Sequence, residues 1–254
     1  MDDNISSTNT NDISVELLEG VHAITEALRA GRPLDKLYVS KDAKNLRGLL
    51  QEAKRAQVVV IERERANLDG MSATGKHQGV IASVAARRYA DLDEIIANAK
   101  QSERPALIVC CDGIDDGRNL GAICRTAEAA GAHGVVVTKR RSASLSVWTD
   151  RAAAGALEHL PLARVSNLTT ALKTLKDNGL WIYGADADGN VDGLDADFSG
   201  ACALVLGSEE SGLSRLVREQ CDFIVSLPML GKIGSLNVSA AAAVLLYTAV
   251  KTRR

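Results

Sequence analysis

The chain has 254 residues, a length that leans towards two folded units, with 46% hydrophobic and 24% charged residues, as expected for a protein with a buried core. Thirty basic residues against 32 acidic ones leave a formal charge of −2, which excludes a polycation that coats nucleic acid, and 3% aromatic residues exclude a surface of stacked rings. The five cysteines form no C-x-x-C pair, which excludes a zinc ribbon, and their odd number argues against a disulfide framework; the longest nearly apolar run, 238–250, is too short to span a bilayer, and a cytoplasmic location is expected.

Residues 1–14, rich in Asn, Ser and Thr without an apolar period, read as a disordered tail. Val21, Ile24 and Leu28 then recur at helical spacing, and Gly31 followed by Pro33 stops that helix. Short apolar runs at 36–39 and 57–61 flank a helical stretch over 43–56, and 79–84 has strand character. Residues 15–88 therefore predict a small α/β unit. It holds 13 basic and 9 acidic residues, a charge of +4, against −2 for 89–104 and −1 for 105–254. That excess suits either a solvated mixed surface or nucleic-acid contact. The candidate functional loop of this unit is the small, polar stretch 72–79, with Lys76 and His77 at its centre; the plain alternative is a flexible loop whose His77 faces solvent.

Residues 89–104 read as a short helical connector ending at Pro105. Beyond it, apolar runs at 106–111, 135–137, 180–183, 203–206 and 223–227 lack polar alternation, and helical segments at 120–130, 168–177, 213–219 and 238–250 separate them. That pattern predicts a parallel sheet over 105–254, covered by helices on both faces. Such sheets bind ligands in the loops that follow their strands. Three of these loops, 112–127, 206–213 and 227–239, are rich in Gly, Asn, Ser and Glu. None carries a dinucleotide fingerprint, a P-loop or a nucleophile elbow, and the four histidines have no partner at metal-ligand spacing. Hydride transfer, ATP hydrolysis and zinc chemistry lose ground, and no metal is expected.

Read together, the loops carry three motifs. The first is Asn119-Leu120-Gly121-Ala122-Ile123-Cys124-Arg125 followed by Ala127 and Gly131. The second is Gly207-Ser208-Glu209-Glu210-Ser211-Gly212-Leu213-Ser214. The third runs from Pro228-Met229 to Ser235-Leu236-Asn237-Val238-Ser239. In this order they resemble the SPOUT class of RNA methyltransferases, and within it the SpoU/TrmH family that methylates ribose 2′-hydroxyls. The resemblance covers 105–254, and residues 19–28 are similar to the start of the family's ribosomal-protein-like substrate-binding domain.

The resemblance implies S-adenosylmethionine as cofactor, structured RNA as partner, a trefoil knot in the C-terminal domain and a homodimer. It implies that Arg125 activates the ribose hydroxyl, with a substrate phosphate as proton acceptor, and that Asn119 orients the ribose. Glu209 would steer Arg125, while Ser235 and Asn237 would make polar contacts beside the reacting ribose. Gly207, Leu227 and Leu236 would wrap the cofactor, and Lys76, His77 and Arg118 would meet RNA. Each residue has a plainer reading: an ion pair of Arg125 with Glu128, helix capping by Asn119, Ser235 and Asn237, a turn at Glu209, ordinary core for the leucines.

The domain plan implies a guanosine of large-subunit ribosomal RNA as target. The rivals are a tRNA or antibiotic-resistance rRNA methyltransferase, or a ribosome-assembly factor that binds RNA without catalysis. In one place the chain departs from the family, with Gly117 after Asp116 where a proline is usual. This predicts a looser loop entrance.

Overall fold

The computed structural model describes residues 15–254, so the tail expected over 1–14 lies outside the described residues. In chain order the first unit runs β1 (Val15–Glu19), α1 (Val21–Arg29), β2 (Leu34–Ser40), α2 (Arg47–Arg55), β3 (Val59–Arg63), α3 (Arg65–Met71) and β4 (Val80–Ala85). Its sheet has the order β1-β4-β2-β3, antiparallel except between β2 and β3. The helical spacing of Ile24, Ala27 and Leu28 puts them on one face of α1, where they bury with Leu49 and Ala53 of α2 against Leu37, Val39, Val80, Ala82 and Val84. Gly31, at φ 74°, turns the chain after α1 as its Gly-x-Pro signal predicts.

The second unit comprises α4 (Leu92–Gln101), β5 (Leu107–Cys111), α5 (Gly117–Ala129), β6 (Gly134–Thr138), α6 (Val147–Ala153), a 3-10 turn (Ala156–Glu158), β7 (Leu162–Val165), α7 (Leu168–Asp177), β8 (Trp181–Ala185), β9 (Val191–Asp192), β10 (Cys202–Leu206), α8 (Arg215–Arg218), β11 (Phe223–Ser226) and α9 (Val238–Thr252). Its seven strands form one all-parallel sheet, ordered β7-β6-β5-β10-β8-β11-β9. Alternate residues of β10 feed two cores. Leu204 and Leu206 pack on the face covered by α5 and α9, and Ala203 and Val205 on the face covered by α4 and α7. The continuous apolar runs in the sequence follow from burial on both sides.

Segment 89–104 is helical as expected, yet it is no free connector. Ile95, Ile96 and Ala99 of α4 are buried with Val136 and Leu172, and a Cβ on Gly134 would stand 2.6 Å from Ile95. Ala90 also bridges Ala163 beside β7. The α4 segment belongs to the second unit's core.

The two units meet through buried charge. Arg87 donates to Glu158 Oε1 (2.6 Å), to Asp150 Oδ1 (3.1 Å) and to the Leu157 carbonyl (2.5 Å), and Arg32 donates to the same Glu158 oxygen (3.3 Å). Burial pushes the Asp150 carboxyl up, and it stays above its usual value although Arg87 and Arg32 oppose the shift.

Glu19, buried at the end of β1, organises the 72–79 loop by accepting from Ser72 Oγ (2.8 Å), from the Ala73 amide (2.7 Å) and from the Thr74 hydroxyl. Burial pushes this carboxyl up, but the bonds from Thr74, Ser72 and Ala73 together win and hold it below its ordinary value. Its contribution to stability is therefore complete above the unfolded-state pKa of about 4.3 and is lost as pH falls through the lower folded value. Glu19→Gln is expected to cost about 1–3 kcal/mol at neutral pH and to flatten the acid limb of stability. Urea unfolding between pH 3 and 7 measures both, and an unaltered acid limb would count against this role for Glu19.

Candidate active site

All seven strands of the second sheet run the same way, so the loops after β5, β8, β10 and β11 gather at one edge. The chain's winding reverses beside β5 and β10, which opens a crevice there. The loop after β10 folds back on itself: the Ser208 and Gly212 backbones exchange hydrogen bonds (both 3.0 Å), with Gly212 at φ 62°. Two carboxylates from neighbouring loops fasten it, Asp186 accepting from the Leu213 amide (3.3 Å) and Asp112 from the Ser214 amide (2.7 Å).

The three motifs lock together at this edge. Asn119, in the first turn of α5, donates to Glu209 Oε1 (3.2 Å). Asn237 donates to the same oxygen (2.5 Å) and to Asn119 Oδ1 (3.1 Å), and the Val238 amide points at Glu209 Oε1 from 3.4 Å. Asn237 also caps α9, accepting from the Ser239 amide (2.9 Å) and hydroxyl (2.6 Å). Asn119, by contrast, caps nothing, because α5 begins at Gly117 and Asp116 is its N-cap, accepting from the Arg118 amide (2.7 Å). Glu209, expected to steer Arg125, instead holds the two asparagines. Arg125 is exposed and, among the described residues, pairs with no carboxylate, Glu128 included. Seven residues apart, Arg118 and Arg125 share one exposed side of α5, about 10 Å apart along its axis.

Beneath this set lies a cleft of about 430 Å³, within the range of small-molecule sites. Gly207, Leu227, Ser235 and Leu236 line it, together with Asp186 and Met229. Leu206, Val225 and Leu245 are among its apolar lining residues and Asp186, Glu209 and Glu210 among its acidic ones, a combination of apolar surface and hydrogen-bond acceptors that suits a ligand with an apolar part and a cationic centre. Asp186 escaped the sequence reading although it follows the buried run 180–183. The rule that ligands bind after such strands would have found it.

Gly207 is required by its own loop. A Cβ there would collide with the Gly212 carbonyl carbon and lie 2.5 Å from the Leu213 amide. Gly207→Ala is therefore expected to displace the loop and weaken S-adenosylmethionine binding at least tenfold, and Gly207→Val to abolish it. Calorimetry reads both, and unchanged affinity in folded Gly207→Ala would remove the loop from the site. Gly121 serves packing in the same way, since a Cβ would stand 2.6 Å from Ala152 Cβ where α6 crosses α5. Gly117, expected to loosen the entrance, is instead covered by α6, with Thr149 Oγ1 2.8 Å from where its Cβ would be.

Lys76 and His77 lie on the first unit. Lys76 is exposed, but His77 is only 1% exposed, its Nε2 hydrogen-bonded to Asp69 (2.8 Å) and its Nδ1 accepting from the Gly79 amide (3.1 Å). Both readings of His77 from the sequence, contact with RNA and a solvent-facing loop residue, need an exposed ring, and the ring is instead an internal brace of the loop. Arg151 of α6, which the sequence did not single out, donates to Thr74 Oγ1 (2.9 Å) and to the Lys76 carbonyl (2.6 Å), tying that loop to the second unit. Among the described residues no group of His, Cys, Asp and Glu could hold a metal ion, and no helix is long and apolar enough to cross a membrane.

A family model described as the SpoU rRNA Methylase family matches residues 106–247, and one described as RNA 2′-O ribose methyltransferase substrate binding matches residues 17–90. The chain is similar to a TrmH family tRNA/rRNA methyltransferase of Bacillus subtilis, 41% identical over 238 residues that cover 92% of this chain and 94% of the relative. Its structure is similar to that of the SpoU methyltransferase AviRb from Streptomyces viridochromogenes in complex with AdoMet, with a TM-score of 0.79 and 29% identity over 93% of this chain and 89% of that one. It is similar as well to an RNA 2′-O ribose methyltransferase, with a TM-score of 0.80 and 28% identity over 96% and 90% of the two chains.

Proposed function

The chain belongs to the SpoU rRNA methylase family and is an S-adenosylmethionine-dependent RNA methyltransferase, and from that premise we propose that it methylates a ribose 2′-hydroxyl, at a guanosine of large-subunit ribosomal RNA. The observation that supports this reading most is the bonded set Asn119–Glu209–Asn237 above the cleft, flanked by Arg118 and Arg125 on the open side of α5.

When bound, S-adenosylmethionine supplies an electrophilic methyl group on a sulfonium. The chain's own task is to align a ribose and manage one proton. Gly207, Leu227 and Leu236, which line the cleft with Asp186, would hold the adenosine portion. Glu209 and Asn237 fix the Asn119 amide, so that its orientation towards the ribose is set before RNA arrives. Arg125, always charged, favours the alkoxide character of the 2′-oxygen while a phosphate oxygen of the RNA takes the proton. Ser235 stands at the cleft rim beside the ribose. Arg118 and Lys76 meet the phosphate backbone, and His77 acts by keeping the 72–79 loop in shape.

The match of residues 17–90 to a substrate-binding model supports structured RNA as partner. The reading includes the trefoil knot, a cytoplasmic location and a homodimer. Exposed Leu230 and Ile233 in the third loop and Val244 and Tyr247 on α9 supply an apolar margin that a second copy would cover. Ribose-methylation mapping of total RNA from a deletion strain tests the substrate. One unmethylated guanosine in large-subunit rRNA, restored by the purified protein, is expected, whereas a missing mark in tRNA would overturn the rRNA assignment.

A further inference from the structure

The turn after β6 carries three consecutive cations, Lys139, Arg140 and Arg141, all exposed. Arg118 is held by Asp116 at 2.7 Å, but none of these three pairs with a carboxylate among the described residues. Their backbone, in contrast, is tied down. The Lys139 amide donates to the Val165 carbonyl (2.8 Å), the Lys139 carbonyl accepts from Arg164 (3.0 Å), and the Arg140 carbonyl accepts from Thr138 Oγ1 (2.6 Å). Arg141 sits at φ 54°, a left-handed conformation unfavourable for a long side chain. The fold thus fixes the turn and leaves its three charges facing solvent.

A second observation lies one step along the chain. Trp148 on α6 is 44% exposed, in a protein whose aromatic content is 3%. Three residues on, Arg151 reaches the 72–79 loop, so Trp148 stands on the flank of α6 that looks towards that loop and its exposed Lys76. The other flank of α6 lies on Gly117 and Gly121 at the start of α5. Lys76, Trp148 and the basic turn are thus all exposed, and the turn, following a strand of the parallel sheet, lies at the sheet edge where the candidate active site opens.

A partly exposed indole between cations is the combination that holds single-stranded nucleic acid, the ring stacking on a base of any identity and the cations binding the flanking phosphates. We propose that Trp148 and the Lys139-Arg140-Arg141 turn form a subsite for unpaired RNA, which stacks one base of the strand leading to the methylated nucleotide and binds its neighbouring phosphates. This rests on the RNA methyltransferase reading and adds residues outside the family's motifs.

Trp148 and Trp181 are the two tryptophans, so Trp181→Phe leaves Trp148 as the single indole reporter in the full-length protein. Titration with an unpaired, single-stranded 12-nucleotide oligoadenylate is expected to quench its fluorescence saturably. With three phosphate contacts, affinity should fall roughly twentyfold between 50 and 200 mM salt. Replacing Lys139, Arg140 and Arg141 together by Ser should remove most of that salt dependence. In methyl-transfer assays Trp148→Ala and the triple Ser variant should each raise KM for RNA about tenfold, with kcat and S-adenosylmethionine affinity unchanged, and Trp148→Phe should retain most of the affinity.

Absence of quenching, or unchanged KM in both variants, overturns the subsite while leaving the methyltransferase reading intact. Quenching that follows protein concentration rather than RNA assigns the surface to contact between copies and equally overturns it. If Trp148 responds to RNA as expected but no ribose methylation can be detected in any RNA, the functional reading fails and the subsite stands.

Discussion

Arg125→Ala is expected to fold normally, to bind S-adenosylmethionine as the unaltered protein does, and to lose methyl transfer by about 10²–10³-fold. Arg125 is exposed and, among the described residues, has no carboxylate partner, so its removal strands no buried charge and stability should move by no more than about 0.5 kcal/mol. It is not among the residues lining the cleft, so cofactor affinity gives an internal control. The loss should fall on kcat, because the guanidinium meets its full electrostatic task only as charge develops on the ribose oxygen. Arg125→Lys should rescue little if the forked geometry matters. Single-turnover methylation with saturating RNA reads the effect; near-normal turnover by a folded variant would sink the assignment.

Arg87→Ala should have the largest effect on stability. Its guanidinium joins Asp150 and Glu158, side chains only 7% and 5% exposed, and its loss leaves two carboxylates with Arg32 as the one nearby cation. Breaking a buried pair from one side costs about 3–5 kcal/mol, because the remaining charge keeps its desolvation penalty. A marked drop in the urea midpoint is expected, with Arg87→Lys intermediate, since an ammonium restores charge without serving both carboxylates and the Leu157 carbonyl. A midpoint unchanged in Arg87→Ala would show that the network is energetically idle. The same network bears on deleting the first unit at Asp91, which also removes Arg32 and Arg87. Such a chain should be judged first by its stability, and only then by its RNA affinity.

The sheet was legible because two-sided burial writes itself into the sequence. Residues 106–111 and 203–206 are apolar without a break, and they are β5 and β10. The elements that were not foreseen bury through polar groups or too few residues. On α6, buried Asp150 is satisfied by distant Arg87 and buried Thr149 by the Ser144 carbonyl, which no apolar period announces, and α3 buries Leu68 alone. His77 was misjudged for the same reason, since a histidine among glycines and serines reads as exposed until the fold brings Asp69 to it. The site's residues were legible as motifs, but their bonds were not. Whether Glu209 touches Asn119 or Arg125 depends on contacts across 84 or more positions, and local spacing carries no information about those.

Asn237 bonds to Asn119 across 118 positions. During synthesis at roughly 5–20 residues per second, β5, α5 and the Glu209 loop are all made before the residue that completes the set emerges. A nascent chain can therefore carry a formed RNA-binding unit and most of a sheet while having no finished chemical centre. A premature stop anywhere before Asn237 is expected to yield an inert fragment instead of a weakened enzyme.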